Sequence, residues 1–490
     1  MAPEIGAIDT WCFALCPKLV SSWPRTMSSY FRGLSLCFLP KMNLILHISE
    51  IRVEIKLGGL RCLPTPRYNA PVLIKACPGP ILAIGVVEIV NANKQNQGRF
   101  AWLHIALVVA GFAGYGRAQH FESFSFNGQD GYAPQGALVV DSSGNFYGGT
   151  GGGGDFNGGV IFKINSTAEE TLYNFGGSDG DGIGANGDLV FDTSGNLYGT
   201  TVSGGGCPTN DCGIVFELSP PASPNAAWTE TVLHSFGGAP DGSRPAAGLV
   251  FDGEGNVYGT TEYGGSARCG CGTVFELMPP QIGGTWTESI LYSFTGGPDG
   301  SRPLSQLVSD QVGNLYGTTY QGGNNEGGTI FELSPPQMPG GAWTKSVLYR
   351  FGPAGGRSPA AGLTWGTEDA LFGTTSQGGT NRGGTVFRLA SSGQGTWSYS
   401  VVYSFSEVDG FPFAPVTFGG PRLLFGTTAN FGDGTGSIFQ ISYSEGKVVE
   451  NVLYNPGGPA GGIVLYRNAL YGTTAAGAGT GDGTVYRLSR

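Results

Sequence analysis

Histidine is scarce in this sequence, and regular helical patterns are missing from it. Only four of the 490 residues are histidine, and two of them, His120 and His234, follow residue 118. This scarcity argues against a histidine-rich metal site and against nucleophilic catalysis that depends on a histidine base. Without helices, no glycine-rich loop can open a helix in the way that phosphate-binding motifs require. The composition therefore points away from histidine-dependent and nucleotide-binding enzymes.

Positive charge is also scarce after residue 118. Residues 119–490 contain 14 Lys and Arg against 31 Asp and Glu, a net charge of −17, whereas residues 1–118 contain 12 against five. Nucleic acids and anionic membranes both require a basic protein surface. We therefore expect neither as a partner, and the change in composition marks a boundary in the chain near residue 118.

One tetrapeptide recurs seven times between that boundary and the C-terminus. It consists of Tyr or Phe, then Gly, a small residue and Thr, and successive copies lie 46 to 60 residues apart. A repeat of this length indicates one supersecondary unit used many times. The copies begin at Tyr147, Tyr198, Tyr258, Tyr316, Phe372, Phe425 and Tyr471.

Each unit contains four short segments of β-branched and aromatic residues, separated by Gly, Pro, Asn and Asp. In the third copy the segments are TVLHSF, GLVFD, NVYGTT and GTVFEL. Four strands per repeat and a period near 50 are typical of a propeller blade. We predict an all-β fold, a seven-bladed β-propeller of four-stranded antiparallel blades spanning 119–490. The segment Phe121–Phe126 resembles an outermost strand and is predicted to complete the last blade, closing the ring.

Three smaller features recur with the repeat. A hairpin of the form Asp-x-x-Gly-Asn joins the second and third segments in four copies, with Gly expected at positive φ. The Gly inside the tetrapeptide predicts a close approach of a neighbouring sheet. A Trp begins the outermost segment, and we predict that its ring packs between blades and does not form a stacking platform for a ligand. The hairpins begin at Asp141, Asp192, Asp252 and Asp310, and the tryptophans are Trp228, Trp286, Trp343 and Trp397.

Residues 94–118 have the layout of a signal peptide. Lys94 and Arg99 precede an apolar stretch at 101–113, which is shorter than the roughly 20 residues of a membrane span, and a small-x-small site ends at Ala118. We expect cleavage near Ala118, a mature chain with no membrane span, and a secreted or cell-surface location. Residues 1–93 are interpreted as a non-native or disordered upstream extension. On this hypothesis, translation begins near residues 86–90. The alternative is a genuine but poorly folded region anchored by 101–113.

Four cysteines follow the boundary, all in loops between the YGTT and GTVFEL segments of a repeat. In an exported protein such residues favour disulfides within or between adjacent loops. A four-cysteine zinc site is the weaker alternative, because Cys-x-Cys and Cys-x-x-x-x-Cys are not the usual spacings of zinc ligands, and no metal site is predicted. Cys207 with Cys212 is the simplest pairing, and the connectivity stays open. The four are Cys207, Cys212, Cys269 and Cys271.

Charged residues recur in the loops that enter each inner strand, in segments such as PDGSRP and GGRSP. Propeller layout places these loops beside the cysteine loops, around the mouth of the central channel. A ring of carboxylates and guanidinium groups there could bind sugar hydroxyls, a carboxylated ligand or Ca²⁺. In the alternative, each Asp makes its own turn and each Arg pairs with an Asp of a neighbouring blade. The candidates are Asp241, Asp299, Asp409, Arg244, Arg302 and Arg357.

The whole repeat, GLVFD-x-x-GN-x-YGTT followed by GG and GTVFEL, resembles the Gloeo/Verruco (GloVer) tandem repeat of exported bacterial proteins. The match is clearest at 248–277 and 304–333, and the resemblance covers about 121–490. It implies export. It implies no established activity, and no catalytic residues can be carried over from the family.

Two functional hypotheses remain. The first is a secreted, monomeric, non-catalytic propeller that binds a glycan, a protein or a surface ligand at the channel mouth, with no cofactor unless Ca²⁺ binds there. The second is a secreted carbohydrate-active lyase or hydrolase that uses carboxylates at the channel mouth. Pairing of every Asp of that face within its own turn would argue against the enzyme. The fifth to seventh copies depart furthest from the consensus, so that side of the ring is the place to look for asymmetry.

Overall fold

The computed structural model describes residues 121–489 except 166–167, 208–210, 224–225, 282, 339, 394, 431–434, 445–446 and 477–480, together with seven short strands before residue 106. The chain divides into two compact units, Met1–Gly116 and Arg117–Arg490. In the first unit a four-stranded sheet has the strand order Trp11–Phe13, Ser35–Leu39, Asn43–His47, Val72–Ile74, and a three-stranded sheet the order Val53–Ile55, Val87–Ile89, His104–Ile105. Apart from these strands, the predicted extension at 1–93 and signal peptide at 94–118 lie outside the described residues. The seven strands are β1 (Trp11–Phe13), β2 (Ser35–Leu39), β3 (Asn43–His47), β4 (Val53–Ile55), β5 (Val72–Ile74), β6 (Val87–Ile89) and β7 (His104–Ile105).

The second unit is a seven-bladed β-propeller of four-stranded antiparallel sheets, as the sequence predicted. Each blade is given from its inner to its outer strand, after β8 (Phe121–Ser125). Blade 1 contains β9 (Val139–Val140), β10 (Phe146–Gly149), β11 (Val160–Ile164) and β12 (Glu169–Asn174). After β13 (Gly182–Ile183), blade 2 contains β14 (Val190–Phe191), β15 (Leu197–Thr201), β17 (Ile214–Ser219) and β18 (Thr229–Ser235), with β16 (Ser203–Gly204) pairing with β13. After β19 (Gly242–Ser243), blade 3 contains β20 (Val250–Phe251), β21 (Val257–Thr261), β23 (Thr273–Met278) and β24 (Thr287–Ser293), with β22 (Tyr263–Gly264) pairing with β19.

The remaining four blades follow the same order. Blade 4 contains β25 (Val308–Ser309), β26 (Leu315–Thr319), β27 (Thr329–Ser334) and β28 (Thr344–Arg350). Blade 5 contains β29 (Thr364–Trp365), β30 (Ala370–Thr375), β31 (Arg382–Ser391) and β32 (Trp397–Ser406). Blade 6 contains β33 (Thr417–Gly420), β34 (Leu423–Asn430), β35 (Thr435–Ser444) and β36 (Lys447–Tyr454). Blade 7 contains β37 (Val464–Tyr466), β38 (Ala469–Thr474), β39 (Thr484–Ser489) and β8.

The ring closes through the two ends of the propeller. Strand β8 pairs antiparallel with β39, with Phe121 opposite Leu488 and Ser125 opposite Thr484. The predicted closing strand is therefore confirmed. Strand β8 covers the outer edge of β39 and gives the last blade the same four strands as the others.

The Asp-x-x-Gly-Asn hairpin is held by its own aspartate. In blade 1, Asp141 Oδ1 accepts hydrogen bonds from the backbone N–H groups of Ser143 and Asn145, both at 2.9 Å. Gly144 has φ 90°, as the hairpin required. Asp141 Oδ2 accepts a further bond of 3.1 Å from the hydroxyl of Tyr147, the first residue of the tetrapeptide. The turn and the following strand are therefore fixed together.

The glycine of the tetrapeptide makes room for an aromatic ring of its own blade. Gly199 lies opposite Phe216 on the next strand, and a Cβ at Gly199 would lie 2.6 Å from Phe216 Cζ. The ring lies over the strand and contacts Phe175 of blade 1, with ring centroids 5.1 Å apart. The predicted close approach of a neighbouring sheet is wrong in this detail, because the crowding group belongs to the same blade.

The first Thr of the tetrapeptide joins consecutive blades. Thr200 Oγ1 donates a 2.9 Å hydrogen bond to the carbonyl of Ala247, just before the inner strand of blade 3. The same bond recurs in blades 3 to 7, and Thr473 of blade 7 donates to the carbonyl of Gly136 before blade 1, at 3.2 Å. Blade 1 has Gly149 at this position. The recurring tetrapeptide therefore supplies both intrablade packing and interblade attachment.

The hydrophobic core lies between consecutive blades. Buried Tyr198 and Val215 of blade 2 pack with Phe275 and Leu277 of blade 3, and similar clusters lie at other boundaries. Trp286 joins this cluster, with its ring 6.3 Å from that of Tyr198, so the predicted interblade packing of the tryptophans is confirmed. In the described part of the chain, no helix is long and apolar enough to cross a membrane.

Candidate ligand-binding site at the channel mouth

The loops that enter the inner strands and the loops that follow the second strands lie on one face. At blade 3, β19 of the first loop pairs with β22 of the second, placing Gly242 opposite Gly264. Blade 5 has the corresponding bridge between Arg357 and Gln377. This pairing creates what we call the channel-mouth face, defined by residues 236–249 and 262–272 at blade 3 and their equivalents in the other blades. The predicted site residues all lie in these loops.

The three predicted aspartates cap their own turns. Asp241 accepts hydrogen bonds from the N–H groups of Gly237 at 2.9 Å and Gly242 at 2.5 Å. Asp409 Oδ2 accepts from the Ser406 N–H at 3.0 Å and from its hydroxyl at 2.7 Å. Asp299 is held in the same way by Thr295. In the described loops these carboxylates therefore serve local structure, and they do not form a shared ring of free ligands.

The pKa values of two of these aspartates agree with that role. Burial raises the pKa of Asp241, but hydrogen bonds from His234 and the turn amides outweigh it and lower the pKa below its ordinary value. Burial is likewise outweighed at Asp299, whose pKa is lowered by Lys345 and by the Thr295 amide. Both side chains are therefore held as anions by fixed donors, and neither has the raised pKa that a general acid requires.

Two of the predicted arginines converge on one buried glutamate. Arg302 donates from Nε to Glu262 Oε1 at 2.9 Å and from Nη2 to the same oxygen. Arg244 Nε lies 3.4 Å from Glu262 Oε2. Glu262 is only 5% exposed, whereas both guanidinium side chains reach the surface. The cluster carries two positive charges and one negative charge, and this Arg244-Glu262-Arg302 group is named the arginine clamp below.

The backbone of the loops positions these arginines. Arg244 and Arg302 both have φ 57°, an uncommon conformation for a residue other than glycine. Their N–H groups donate to the carbonyls of Cys212 and Cys271 in the preceding blade, at 2.8 and 2.9 Å. Because each loop is tied to the blade before it, the two side chains approach Glu262 from opposite blade boundaries.

Two tyrosine rings flank the arginine clamp. The guanidinium carbon of Arg302 lies 5.4 Å from the ring centre of Tyr263 and 5.6 Å from that of Tyr320. Arg244 lies 5.9 Å from the same Tyr263 ring, which is 36% exposed. Contacts of this kind orient guanidinium groups while leaving donors available to a ligand. The arrangement can bind an anion and a flat apolar surface side by side.

Sequence reasoning missed Glu262, Tyr263 and Tyr320. The expected partner of each arginine was an Asp of a neighbouring blade, whereas the structure supplies a Glu that directly follows the tetrapeptide. The residue that follows the tetrapeptide varies from copy to copy, and this variation was the sequence signal that could have indicated a site. It is occupied by Gly151, Val202, Glu262, Tyr320, Ser376, Ala429 and Ala475.

Arg357 lies apart from the arginine clamp, at a pocket of ≈ 480 Å³ between blades 5 and 6. Its Nη2 donates to the carbonyl of Asn325 at 2.8 Å. Arg382, Glu407 and Phe411 also line the pocket. The six predicted ligand residues therefore divide into three turn caps, two arginines of the clamp and one pocket residue.

The four cysteines form two short disulfides beside these loops. Cys207 pairs with Cys212, and Cys269 pairs with Cys271. Cys212 and Cys271 are also the residues whose carbonyls accept from Arg244 and Arg302. The disulfides thus lie next to the backbone that positions the arginine clamp.

These features define a repeat-built β-propeller with a cationic, aromatic cluster on one face of an acidic domain. The chain belongs to the Gloeobacter/Verrucomicrobia repeat family, whose model matches residues 206–418 and 337–490. No curated protein matches the chain in sequence.

Solved structures with similar folds have low sequence identity to this chain. An ancestral GH74 enzyme is 12% identical, with a TM-score of 0.49, over 75% of this chain and 50% of that one. An extracellular domain of a putative one-component system from B. thetaiotaomicron is 10% identical with a TM-score of 0.46, over 76% of this chain and 40% of that one. A putative oxidoreductase (glucose dehydrogenase) from Thermus thermophilus is 15% identical with a TM-score of 0.36, over 76% of this chain and 99% of that one.

Proposed function

We propose that this protein is an exported, non-catalytic propeller that binds an acidic glycan at the arginine clamp. The observation that carries the proposal is the convergence of Arg244 and Arg302 beside the rings of Tyr263 and Tyr320. Guanidinium groups suit carboxylate or sulfate oxygens, and an aromatic ring suits the apolar face of a sugar. Export rests on the sequence at 94–118 and is part of the proposal, as are a monomeric state and independence from any cofactor.

The charge distribution favours an anionic ligand over a neutral one. Residues 119–490 carry a net charge of −17, whereas the arginine clamp is locally positive. Glu262 neutralises one of the two guanidinium groups and leaves one charge for a ligand. The alternative of a lyase or hydrolase has no comparable support, because Asp241, Asp299 and Asp409 are engaged in their own turns in the described loops.

The proposal is tested by measuring the binding of oligosaccharides to the full chain. Uronate-containing, sulfated and neutral oligosaccharides of equal length are compared by a glycan array and then by calorimetry. We expect binding of one acidic class, weakened by salt as a charge interaction is. The variant Arg302→Gln should weaken that binding by about 10- to 100-fold, since charged hydrogen bonds contribute about 1.5–3 kcal/mol.

Arg268→Gln provides the matched control, because Arg268 is an exposed arginine in the neighbouring cysteine loop. Tyr320→Ala is a second test that leaves both positive charges in place. Circular dichroism establishes that each variant is folded. Binding of neutral glycans alone, the absence of glycan binding, or equal losses in Arg302→Gln and Arg268→Gln would contradict the proposal.

A further inference from the structure

A histidine and two carboxylates meet at the outer boundary between blades 2 and 3. His234 lies on β18, Asp241 in the loop that follows it, and Glu288 on β24 of the next blade. One ligand atom from each residue lies within 4.8 Å of the other two. His234 Nε2 and Asp241 Oδ2 are 3.3 Å apart. These are donors that transition-metal ions use in proteins.

The same three positions recur at the boundary between blades 3 and 4, where one of them is a lysine. Glu288 lies opposite Leu277 on its neighbouring strand, and Lys345 lies opposite the equivalent Leu333. Lys345 Nζ is 2.5 Å from Asp299 Oδ1, and its side chain is only 3% exposed. The fold thus places a buried positive charge beside the turn aspartate at the boundary between blades 3 and 4.

At the boundary between blades 2 and 3, a carboxylate replaces that lysine. Glu288 Oε1 is buried and, among the described residues, has no hydrogen-bond partner. Asp241 is already held as an anion by its turn amides. The cluster therefore combines two carboxylates with one imidazole and has no counterpart of the Lys345 ammonium. A carboxylate that has one unpaired buried oxygen and another ligand group within 4.8 Å would gain a partner from a bound cation.

We propose that His234, Asp241 and Glu288 bind one divalent metal ion of the zinc class. The ion replaces the proton between His234 Nε2 and Asp241 Oδ2 and also binds Glu288. Zinc binds histidine nitrogen and carboxylate oxygen at about 2.0–2.2 Å, and two such ligands of a tetrahedral ion lie about 3.4 Å apart. The observed 3.3 Å between Nε2 and Oδ2 matches this spacing. Ca²⁺ fits less well, because it takes oxygen ligands.

The test is titration of Zn²⁺ alone into the full chain, purified without a histidine tag, treated with chelator and kept oxidised. Calorimetry gives the stoichiometry and the Kd, and Co²⁺ absorption in the visible range reports a histidine–carboxylate ligand set. Wild type is compared with Glu288→Gln and His234→Tyr. The second variant carries the residue found at the same position in β12 and β24, Tyr173 and Tyr292, so it suits the fold.

Glu230→Gln is the matched control. Glu230 occupies the position of Glu288 at the boundary between blades 1 and 2, where Tyr173 replaces the histidine. We expect one Zn²⁺ per chain, weakened by more than about tenfold in Glu288→Gln and in His234→Tyr, since even indirect partners of a metal contribute 10- to 100-fold. Glu230→Gln should bind as wild type does.

Three results would overturn the proposal. They are no Zn²⁺ binding by the wild type at millimolar metal, unchanged binding in His234→Tyr, or an equal loss in Glu230→Gln. If Glu288→Gln does not fold, His234→Tyr alone decides the outcome.

Discussion

Glu230 is expected to make the propeller less stable as the pH rises through neutrality, which is the opposite of the usual effect of a carboxylate. The side chain lies between blades 1 and 2, where Tyr173 donates a 3.0 Å hydrogen bond to Oε2. Oε1 is buried and has no hydrogen-bond partner within the described part of the chain. Asp181, which is nearby, is held by the amides of Gly176, Gly177 and Gly182. Two carboxylates are therefore close together, and only one of them has amides to stabilise its charge.

Burial is the main cause that raises the pKa of Glu230, and the Asp181 charge raises it further, from 4.5 to about 7. The folded protein then binds this proton more tightly than the unfolded chain does. The resulting stabilisation is complete below pH 4.5 and is lost as the pH rises through 7. A pKa unit corresponds to about 1.4 kcal/mol, so a group fully shielded from solvent would contribute about 3 kcal/mol. Screening of this partly exposed carboxyl reduces the expected effect to about 1–2 kcal/mol.

The substitution Glu230→Gln removes the charge while keeping the shape. The amide oxygen can still accept from Tyr173, and the amide NH₂ can donate towards Asp181. We expect the variant to equal wild type in stability at pH 4.5 and to exceed it by about 1–2 kcal/mol at pH 8. The free energy of unfolding is measured at both pH values by urea denaturation, followed by tryptophan fluorescence.

Glu254→Gln is the control, because Glu254 is an exposed residue of the hairpin in blade 3. Taking the difference between wild type and variant removes the contribution of titrating groups that do not interact with Glu230. The reasoning is refuted if the difference for Glu230→Gln is the same at pH 4.5 and pH 8, or if the variant is less stable at pH 8.

Three further substitutions test contacts within and between blades, each by urea denaturation. Gly199→Ala should cost about 1–3 kcal/mol, because the new Cβ would lie 2.6 Å from Phe216 Cζ; a neutral effect would show that the ring has room to move. Lys345→Met should cost about 3 kcal/mol, since it leaves the half-buried Asp299 without its cation; unchanged stability at neutral pH would contradict that pairing. Thr473→Val should lower the free energy of unfolding by about 1 kcal/mol, because it removes the hydrogen bond between blades 7 and 1. An unchanged free energy of unfolding would show that closure of the ring does not need this bond.

The fold could be predicted in detail because its signals are local. The aspartate hairpins, the glycines at positive φ and the strand segments each depend on residues a few positions apart. The strand segments recur in all seven copies and the hairpin in four. The closing strand Phe121–Ser125 was also predictable, since its sequence resembles the other outer strands. The mid-strand glycine shows the limit of such arguments. Its sequence context indicated crowding, but the crowding group proved to be the facing ring of Phe216.

The candidate sites were only partly predictable. Arg244 and Arg302 were selected from their loop motif, yet their partner Glu262 was not, because Arg302 and Glu262 are 40 residues apart. Their meeting depends on the distance between neighbouring blades. The turn aspartates were selected by the same motif and proved to be local caps. A motif that recurs with the repeat marks a position in the blade, and it does not distinguish a turn from a binding site.

The sequence by itself therefore determined the number of blades, the order of strands and the closure of the ring, because alternating apolar residues and turn formers act over short distances. Only the tertiary structure decided which side chains of different blades meet. Glu262 lies between two arginines, and Glu288 lies beside His234 and Asp241, because blade packing brings separate repeats together. These contacts depend on the few positions where one repeat differs from the next, and their consequence appears only when the blades are assembled.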